Sequence, residues 1–348
     1  MSYVETMDSL ILDELDRQLV HALQIDGRAP FSRVAEVLGV SDQTVARRYR
    51  RLRSAQAMRV LGLPNARRFG HIEWLLRVQC TPDAAGSVAA ALARRDDTSW
   101  VSLTAGGTEI VCVTHALPRG EGEALLLRKL PRTPRVVGVS AHHLLHTFSG
   151  GPTGWHGKAA ALDPEQAARM LAPVPEEIDL GQPLTLSDND LRLLGALALD
   201  GRAAYPELAA TTGWSESTTK RRLEYLRHAG ALFFDVEIDA ALLGFETEAM
   251  LWMSVPPSDL EEVATSLTQH PEVAFAAAIT GSSNLVAFVA CEHTEAFYAY
   301  LTKRIGSLRA ITRLETAPVI QSVKRAGALL DAEQFAKAYR ARNLNTGE

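Results

Sequence analysis

One long internal repeat constrains this chain more than any other feature. "DGRAPFSRVAEVLGVSDQTVARRYRRL", Asp26 to Leu52, returns as "DGRAAYPELAATTGWSESTTKRRLEYL", Asp200 to Leu226. The offset is 174 residues, and 18 of the 45 positions from Asp16 to Val60 are identical without a gap. The match runs on to Gly70 and Gly244. Solenoid and propeller repeats recur every ~20–50 residues. So long an offset instead makes the chain two copies of one two-part unit.

The first part of each unit reads as three short helices. Leu15, Leu19, Ala22 and Leu23 share a face, and "DGR" ends that run, with Gly27 free to take a left-handed cap. Phe31, Val34, Ala35 and Leu38 make a second face. "LGVS" turns the chain, and Ser41 is a good N-cap for a third helix whose apolar stripe is Val45, Tyr49 and Leu52. Two helices, a glycine turn and a basic helix form the helix-turn-helix pattern. Arg47, Arg48 and Arg51 fall off the apolar stripe, where phosphate would lie. Ser41, Asp42, Gln43 and Thr44 begin the helix, the end that enters a major groove. Gln43 can pair an adenine edge and Arg47 a guanine edge. In the second copy the matching residues are Ser217, Thr218, Lys220, Arg221 and Arg222. The next stretch, "AMRVLGLPNARRFG" or "ALFFDVEIDAALLG", reads as a hairpin wing, with Arg67 and Arg68 adding charge in the first copy.

The second part alternates strand and helix patterns in β-α-β-β-α-β order, the ferredoxin-like arrangement. In the first copy "HIEWLLRVQC", "DAAGSVAAALARR", "TSWVSLTAGGTEIVCVTHA", "RGEGEALLLRKL" and "RVVGVSAHHLLHTF" supply it. The longest uncharged run, "VAFAAAITGSSNLVAFVA", is broken by "TGSSN" and reads as a buried hairpin, not a membrane span. The fold class expected is therefore α+β, two winged helix-turn-helix domains alternating with two ferredoxin-like βαββαβ domains. The boundaries expected are 8–70, 71–148, a Gly/Pro-rich linker over 149–184, 185–244, 245–325 and a tail over 326–348.

Charge sharpens the reading. The chain carries a formal net charge of −5, yet Val40 to Gly70 holds eight arginines against one acid, Asp42. The matched window, Trp214 to Gly244, holds four basic residues against five acids. Local basic charge suffices to meet DNA, so the first domain is expected to bind more strongly than the second. Cys80, Cys112 and Cys291 show no metal-ligand spacing, and the acidic start, "MSYVETMDSLILDELD", is unlike a signal peptide. Reduced thiols and a cytoplasmic location are expected. His142 and His146 share a strand face ~13 Å apart, too far for one ion, so no metal and no cofactor are expected.

These motifs resemble the leucine-responsive regulatory protein/AsnC family of feast–famine transcription regulators. The resemblance rests on "LDRQLVHALQIDGRAPFSRVAEVLGVSDQTVARRYRRL", the segment ending at Gly70, the sheet module with "AGGTE", and their second-copy counterparts ending in "TGSSN". It implies double-stranded DNA as partner and pairing of sheet modules, here as a pseudo-dimer within one chain. It further implies assembly of chains into a dimer or larger even oligomer. It also implies a small-molecule effector, commonly an amino acid, near the central turns, at Gly106, Thr108, Glu109, Gly281, Ser283 and Asn284. The family usually places an Asp after that turn; here Glu109 and Asn284 stand there. Two other classes share the architecture: fused sirohaem decarboxylases, and a ligand-sensing scaffold that has lost DNA binding. Haem-like absorbance would mark the first, and absence of a salt-dependent DNA shift the second.

Overall fold

The repeated helices form where the apolar spacing and caps place them. The computed structural model describes residues 10–95, 97–116, 130–151, 160–171 and 184–326. Helix α1 (Glu14–Ile25) starts at Asp13, whose side chain accepts from the Asp16 amide while Asp16 reaches back to the Asp13 amide. That reciprocal box satisfies two donors the helix leaves open. Helix α2 (Phe31–Leu38) stops at Gly39, left-handed at φ 66°. Helix α3 (Asp42–Ser54) is capped by Ser41, whose Oγ accepts from the Thr44 amide at 3.2 Å. Its Val45, Tyr49 and Leu52 are buried, as the stripe requires.

Strand β1 (Met58–Pro64) follows, then a short turn of helix over Ala66–Phe69 ending at Gly70, φ 74°. The sheet module is β2 (Ile72–Cys80), α4 (Ala85–Ala93), β3 (Thr98–Thr104), β4 (Glu109–Ala116) and β5 (Val136–Ser149). The second helix expected here, at "RGEGEALLLRKL", lies outside the described residues up to Arg128 and Lys129. Within the linker, α5 (Pro164–Met170) forms behind an Asp163 capping box and buries Met170 in the core of the first domain.

The second copy repeats the order. Helices α6 (Asp188–Leu199), α7 (Tyr205–Thr212) and α8 (Glu216–His228) precede β6 (Leu232–Ile238). Its sheet module is β7 (Thr247–Ser254), α9 (Leu260–Thr268), β8 (Val273–Ile279), β9 (Leu285–Cys291), α10 (Thr294–Ala299) and β10 (Arg313–Lys324). The long apolar run is the β8–β9 hairpin, and no helix among the described residues is long and apolar enough to cross a membrane.

The two copies meet at two places. Within each sheet module the strands take ferredoxin order, and across modules β5 pairs with β8 and β10 with β3. The eight strands close into one barrel, in the order β10-β3-β4-β2-β5-β8-β9-β7. Its interior is packed by both modules, with Leu75, Val111 and Leu144 from the first against Met250, Trp252 and Val286 from the second. Both sheets spend their outer strands on each other, so the barrel offers no free strand edge to another chain. Oligomerisation through the barrel's strand edges is closed.

The second meeting place corrects the wing. Strand β1 does not turn back on itself; it pairs antiparallel with β6, Met58 opposite Ile238 and Pro64 opposite Leu232. The physical reason is the segment after β1. It winds into a helical turn over Ala66–Phe69 and leads into β2 instead of supplying a return strand. The two strands thus form a ribbon joining the helix-turn-helix domains. Gly27 is not at positive φ either: Asp26 ends α1 in an extended conformation. A side chain at Gly27 would meet Phe234 Cβ at 2.7 Å, so close approach to the ribbon requires the glycine.

Candidate nucleic-acid interface

The sequence offers a cluster of arginines; folding sorts them into braces and free cations. Arg48 turns inward onto α1. Its Nη1 donates to Asp13 at 2.6 and 2.8 Å and to Asp16 Oδ1 at 2.9 Å. Arg51 also binds the buried Asp16. In the second copy Arg222 grips Asp190 with two bonds, Nε at 2.6 Å and Nη2 at 2.9 Å. Asp16 and Asp190 are matched residues on α1 and α6, so Arg48 and Arg222 tie each recognition helix to its first helix. The expectation that Arg48 and Arg222 face phosphate is corrected, because a buried carboxylate needs a charged partner more than solvent does, whereas Arg51 shares Asp16 with its side chain 45% exposed.

The wing arginines are likewise spoken for. Arg67 donates Nε to Glu73 at 2.9 Å and two further bonds to the Leu144 and Leu145 carbonyls at 3.0 Å, joining the helical domain to β5. Arg68 is buried. Arg59 pairs with Glu237 across the β1–β6 ribbon, so one acid of the second window answers one arginine of the first. Ser41 and Thr44 share a hydroxyl contact at 2.9 Å, and Ser215 contacts Ser217 at 3.0 Å and Thr218 at 2.9 Å; these groups cap α3 and α8.

The outward face of α3 keeps Asp42, Gln43, Arg47 and Arg50 exposed. On α8 the exposed residues include Glu216, Ser217, Lys220 and Arg221. Arg47 and Arg221 occupy the same place in the repeat. Glu224 stands where Arg50 does, and Arg50 was not among the residues the sequence singled out. Its signal was present: it lies three positions beyond Arg47 on the same helix face.

A reciprocal contact joins the two domains behind these helices. Arg28 donates to the carbonyls of Gly201 at 2.7 Å and Ala203 at 3.1 Å. Arg202 donates to those of Gly27 at 2.7 Å and Ala29 at 2.9 Å. Arg53, in the last turn of α3, binds Asp200 at 2.7 Å, and Arg227, in the last turn of α8, binds Asp26 at 3.2 Å.

The central turns lie elsewhere, each beside the other module. Gly106 is at φ 71°, and Thr108 Oγ1 donates to the Ala105 carbonyl at 2.9 Å. Glu109 is buried and already held: Arg77 Nε donates to it at 3.0 Å and Thr104 Oγ1 at 3.1 Å. Arg77 also reaches Glu315 of the second module at 2.5 Å and lies 4.4 Å from the Trp252 ring centre. In the second turn Gly281 is at φ 121°, with His142 of the first module so close that a side chain there would come within 2.7 Å of Nδ1. Asn284 bonds the Val255 backbone on both sides, accepting from its amide at 2.9 Å and donating to its carbonyl at 2.7 Å. Ser283 is half-buried beside it. Glu109 and Asn284 thus fill matched places with different jobs, one holding the Arg77 that reaches across to Glu315 and the other locking a loop. No group of three or more potential metal ligands occurs among the described residues.

The comparisons with known proteins fit this anatomy. Residues 12–53 and 186–227 each match the AsnC-type helix-turn-helix domain, and residues 248–329 match the Lrp/AsnC ligand binding domain. The HTH-type transcriptional regulator FL11 of Pyrococcus horikoshii is 29% identical over 140 residues, 40% of this chain and 92% of that protein. The HTH-type transcriptional regulator Rv2324 of Mycobacterium tuberculosis is 29% identical over 143 residues, 40% of this chain and 94% of that one. Each such relative therefore spans one copy. Over the whole length, the fold is similar to that of the siroheme decarboxylase NirDL, at TM-score 0.62 and 15% identity, covering 97% of this chain and 100% of that one. At that identity the likeness is one of fold.

Proposed function

We propose, from the premise that this chain is a duplicated member of the Lrp/AsnC family, that it regulates transcription as a one-chain DNA-binding head whose response is set by a small metabolite. The observation that carries this reading is the pair of recognition helices, α3 and α8, with Arg47 and Arg221 exposed at equivalent positions on domains joined by ribbon and ion pairs. Gln43 and Arg47 read base edges from α3, Ser217 and Arg221 from α8, and Arg50 and Lys220 meet phosphate. The protein acts in the cytoplasm, where DNA is. Fluorescence anisotropy against genomic fragments tests it. Affinity should fall linearly with salt on a log–log plot. No salt-dependent binding to any fragment would sink the reading.

The effector reading is narrower. Polar groups at the Gly106–Glu109 and Gly281–Asn284 turns, each beside the opposite module, support a metabolite site there. Glu109 already holds Arg77, so an amino-acid ammonium would have to displace a guanidinium. A ligand that instead offers acceptors to Arg77 fits this arrangement better. Alanine at Glu109 and Asn284 together should abolish the effector response in DNA binding; an unchanged response would put the site elsewhere.

A second reading has one observation in its favour, the full-length likeness to a siroheme decarboxylase. The curated relatives are transcription regulators and favour a protein that is not an enzyme. Titration with an iron porphyrin decides between them. A saturable Soret shift at one site per chain, without DNA binding, would favour the enzyme.

A further inference from the structure

The tripeptide Asp-Gly-Arg occurs at 26–28 and again at 200–202, and each residue in it touches the other copy. The glycines take the closest approach: a side chain at Gly201 would meet the Leu61 carbonyl carbon at 2.8 Å, and one at Gly27 would meet Phe234. The Gly201 amide donates to the Val60 carbonyl at 2.8 Å, docking the loop on the ribbon. The aspartates fold the loop, Asp26 accepting from the Arg28 amide at 3.1 Å and Asp200 from the Arg202 amide at 2.9 Å. Each aspartate also binds the arginine ending the other copy's recognition helix. The arginines cross over to the opposite loop's carbonyls. Arg202 lies 4.3 Å from the Phe31 ring centre and 5.4 Å from that of Tyr49, a buried residue of α3; Arg28 lies 5.1 Å from that of Tyr205.

A two-stranded ribbon alone twists and bends easily. Two helices that must enter successive major grooves, ~34 Å apart, need a stiffer joint. We propose that Arg28 and Arg202 are positioning residues: their reciprocal clasp fixes the separation and angle of α3 and α8, and so sets which half-site spacing the head accepts. The proposal rests on the DNA-binding reading above, and it concerns geometry, not contact. Neither arginine touches DNA in it. Each bridges two carbonyls with one planar fork, which a lysine cannot do.

The test uses the full chain and the double variant Arg28→Ala/Arg202→Ala. A DNA fragment selected by the wild-type protein receives five extra base pairs between its half-sites. Wild-type affinity should drop on the order of tenfold or more, as half a helical turn puts one helix on the wrong side. The variant should lose less than about threefold on the same insertion and bind a single half-site within about twofold of wild type, since the reading residues are intact. A variant that keeps the wild-type spacing penalty overturns the proposal. A second measurement needs no DNA and so separates this proposal from the functional reading. Spin labels at Gln43→Cys and Ser217→Cys should give one narrow distance distribution in wild type and a broad one in the variant; equal widths overturn the clasp. Should the double variant fail to fold, Arg28→Gln and Arg202→Gln alone each release one side, and the same two readouts apply.

Discussion

At the scale of single residues, an arginine's role follows from what lies beneath it. Arg47 and Arg48 are neighbours in sequence and look interchangeable there, since both leave the Val45/Tyr49/Leu52 stripe. One faces solvent and the other faces Asp16, which has no exposed surface. Arg47→Ala should therefore weaken DNA binding by about 1–3 kcal/mol and change stability by less than about 0.5 kcal/mol. Arg48→Ala should do the opposite, costing about 2 kcal/mol of stability because it strips a buried carboxylate of donors. Paired denaturant melts and binding isotherms check the crossover, and equal profiles for the two variants would refute it. The second copy adds a pH signature. Burial alone would raise the Asp190 carboxyl, but the Arg222 bonds and the Ser187 cap bonds together hold it below its ordinary 3.8. A depressed carboxyl contributes stability that is complete above its unfolded value and lost as pH falls through its folded value. Arg222→Ala removes that contribution, so the variant should melt well below wild type near pH 6, with the gap closing as pH falls through the range where wild-type Asp190 takes up its proton. Thermal melts across pH 2 to 6 measure this, and coincident curves would show that the pair carries no charge linkage.

Elements decide how much of the charge count survives. Of the eight arginines between Val40 and Gly70, Arg48, Arg51, Arg53, Arg59 and Arg67 hold carboxylates and Arg68 is buried, but Arg51 and Arg53 keep 45% and 53% of their side chains exposed beside Arg47 and Arg50. In the second copy Glu237 is cancelled by Arg59, and Asp239 caps the short helix at Ala240–Leu243. The contrast between the two domains, large in the sequence, lies on the helix faces at Arg50 against Glu224 and Arg51 against Tyr225, offset in part by Lys220, which stands where the first copy has Ala46. Glu224→Arg should then tighten DNA binding and steepen the salt slope by about 1, and Arg50→Glu should do the reverse. Anisotropy over a salt series reads both, and an unchanged slope in Glu224→Arg would remove α8 from the interface. This is also where sequence legibility ended. The helix start at Ser41 was readable because a cap acts on amides a few residues away. The partner of β1 was not, since a strand's own residues do not say whether it pairs with the next strand or with one 174 residues on. The "DGR" loop looked like a local helix stop for the same reason: the contacts of its arginines and glycines that tie the copies together are long-range.

For the whole molecule, duplication moves a dimer interface inside one chain. The resemblance implied a pseudo-dimer of sheet modules within one chain; the closed barrel joins the modules in that way, and the β1–β6 ribbon joins the helix-turn-helix domains as well. The barrel's own strand edges are all paired within the chain, so they are not available to another chain. Once two copies are one polypeptide, they need not be equal, and the outer faces of α3 and α8 differ at Gln43 against Ser217 and at Arg50 against Glu224. A two-fold dimer of identical chains reads a palindrome, whereas on the proposed DNA-binding reading this head would meet two unlike half-sites in fixed order. The minimal complex should thus be one chain on one asymmetric site. Titrating a selected fragment well above the dissociation constant should give an equivalence point of one chain per fragment. Inverting one half-site should cost on the order of tenfold in affinity, as several mismatched base pairs would. A requirement for two chains on the shortest bound fragment, or indifference to the inversion, would show that the two copies do not act as one asymmetric reader.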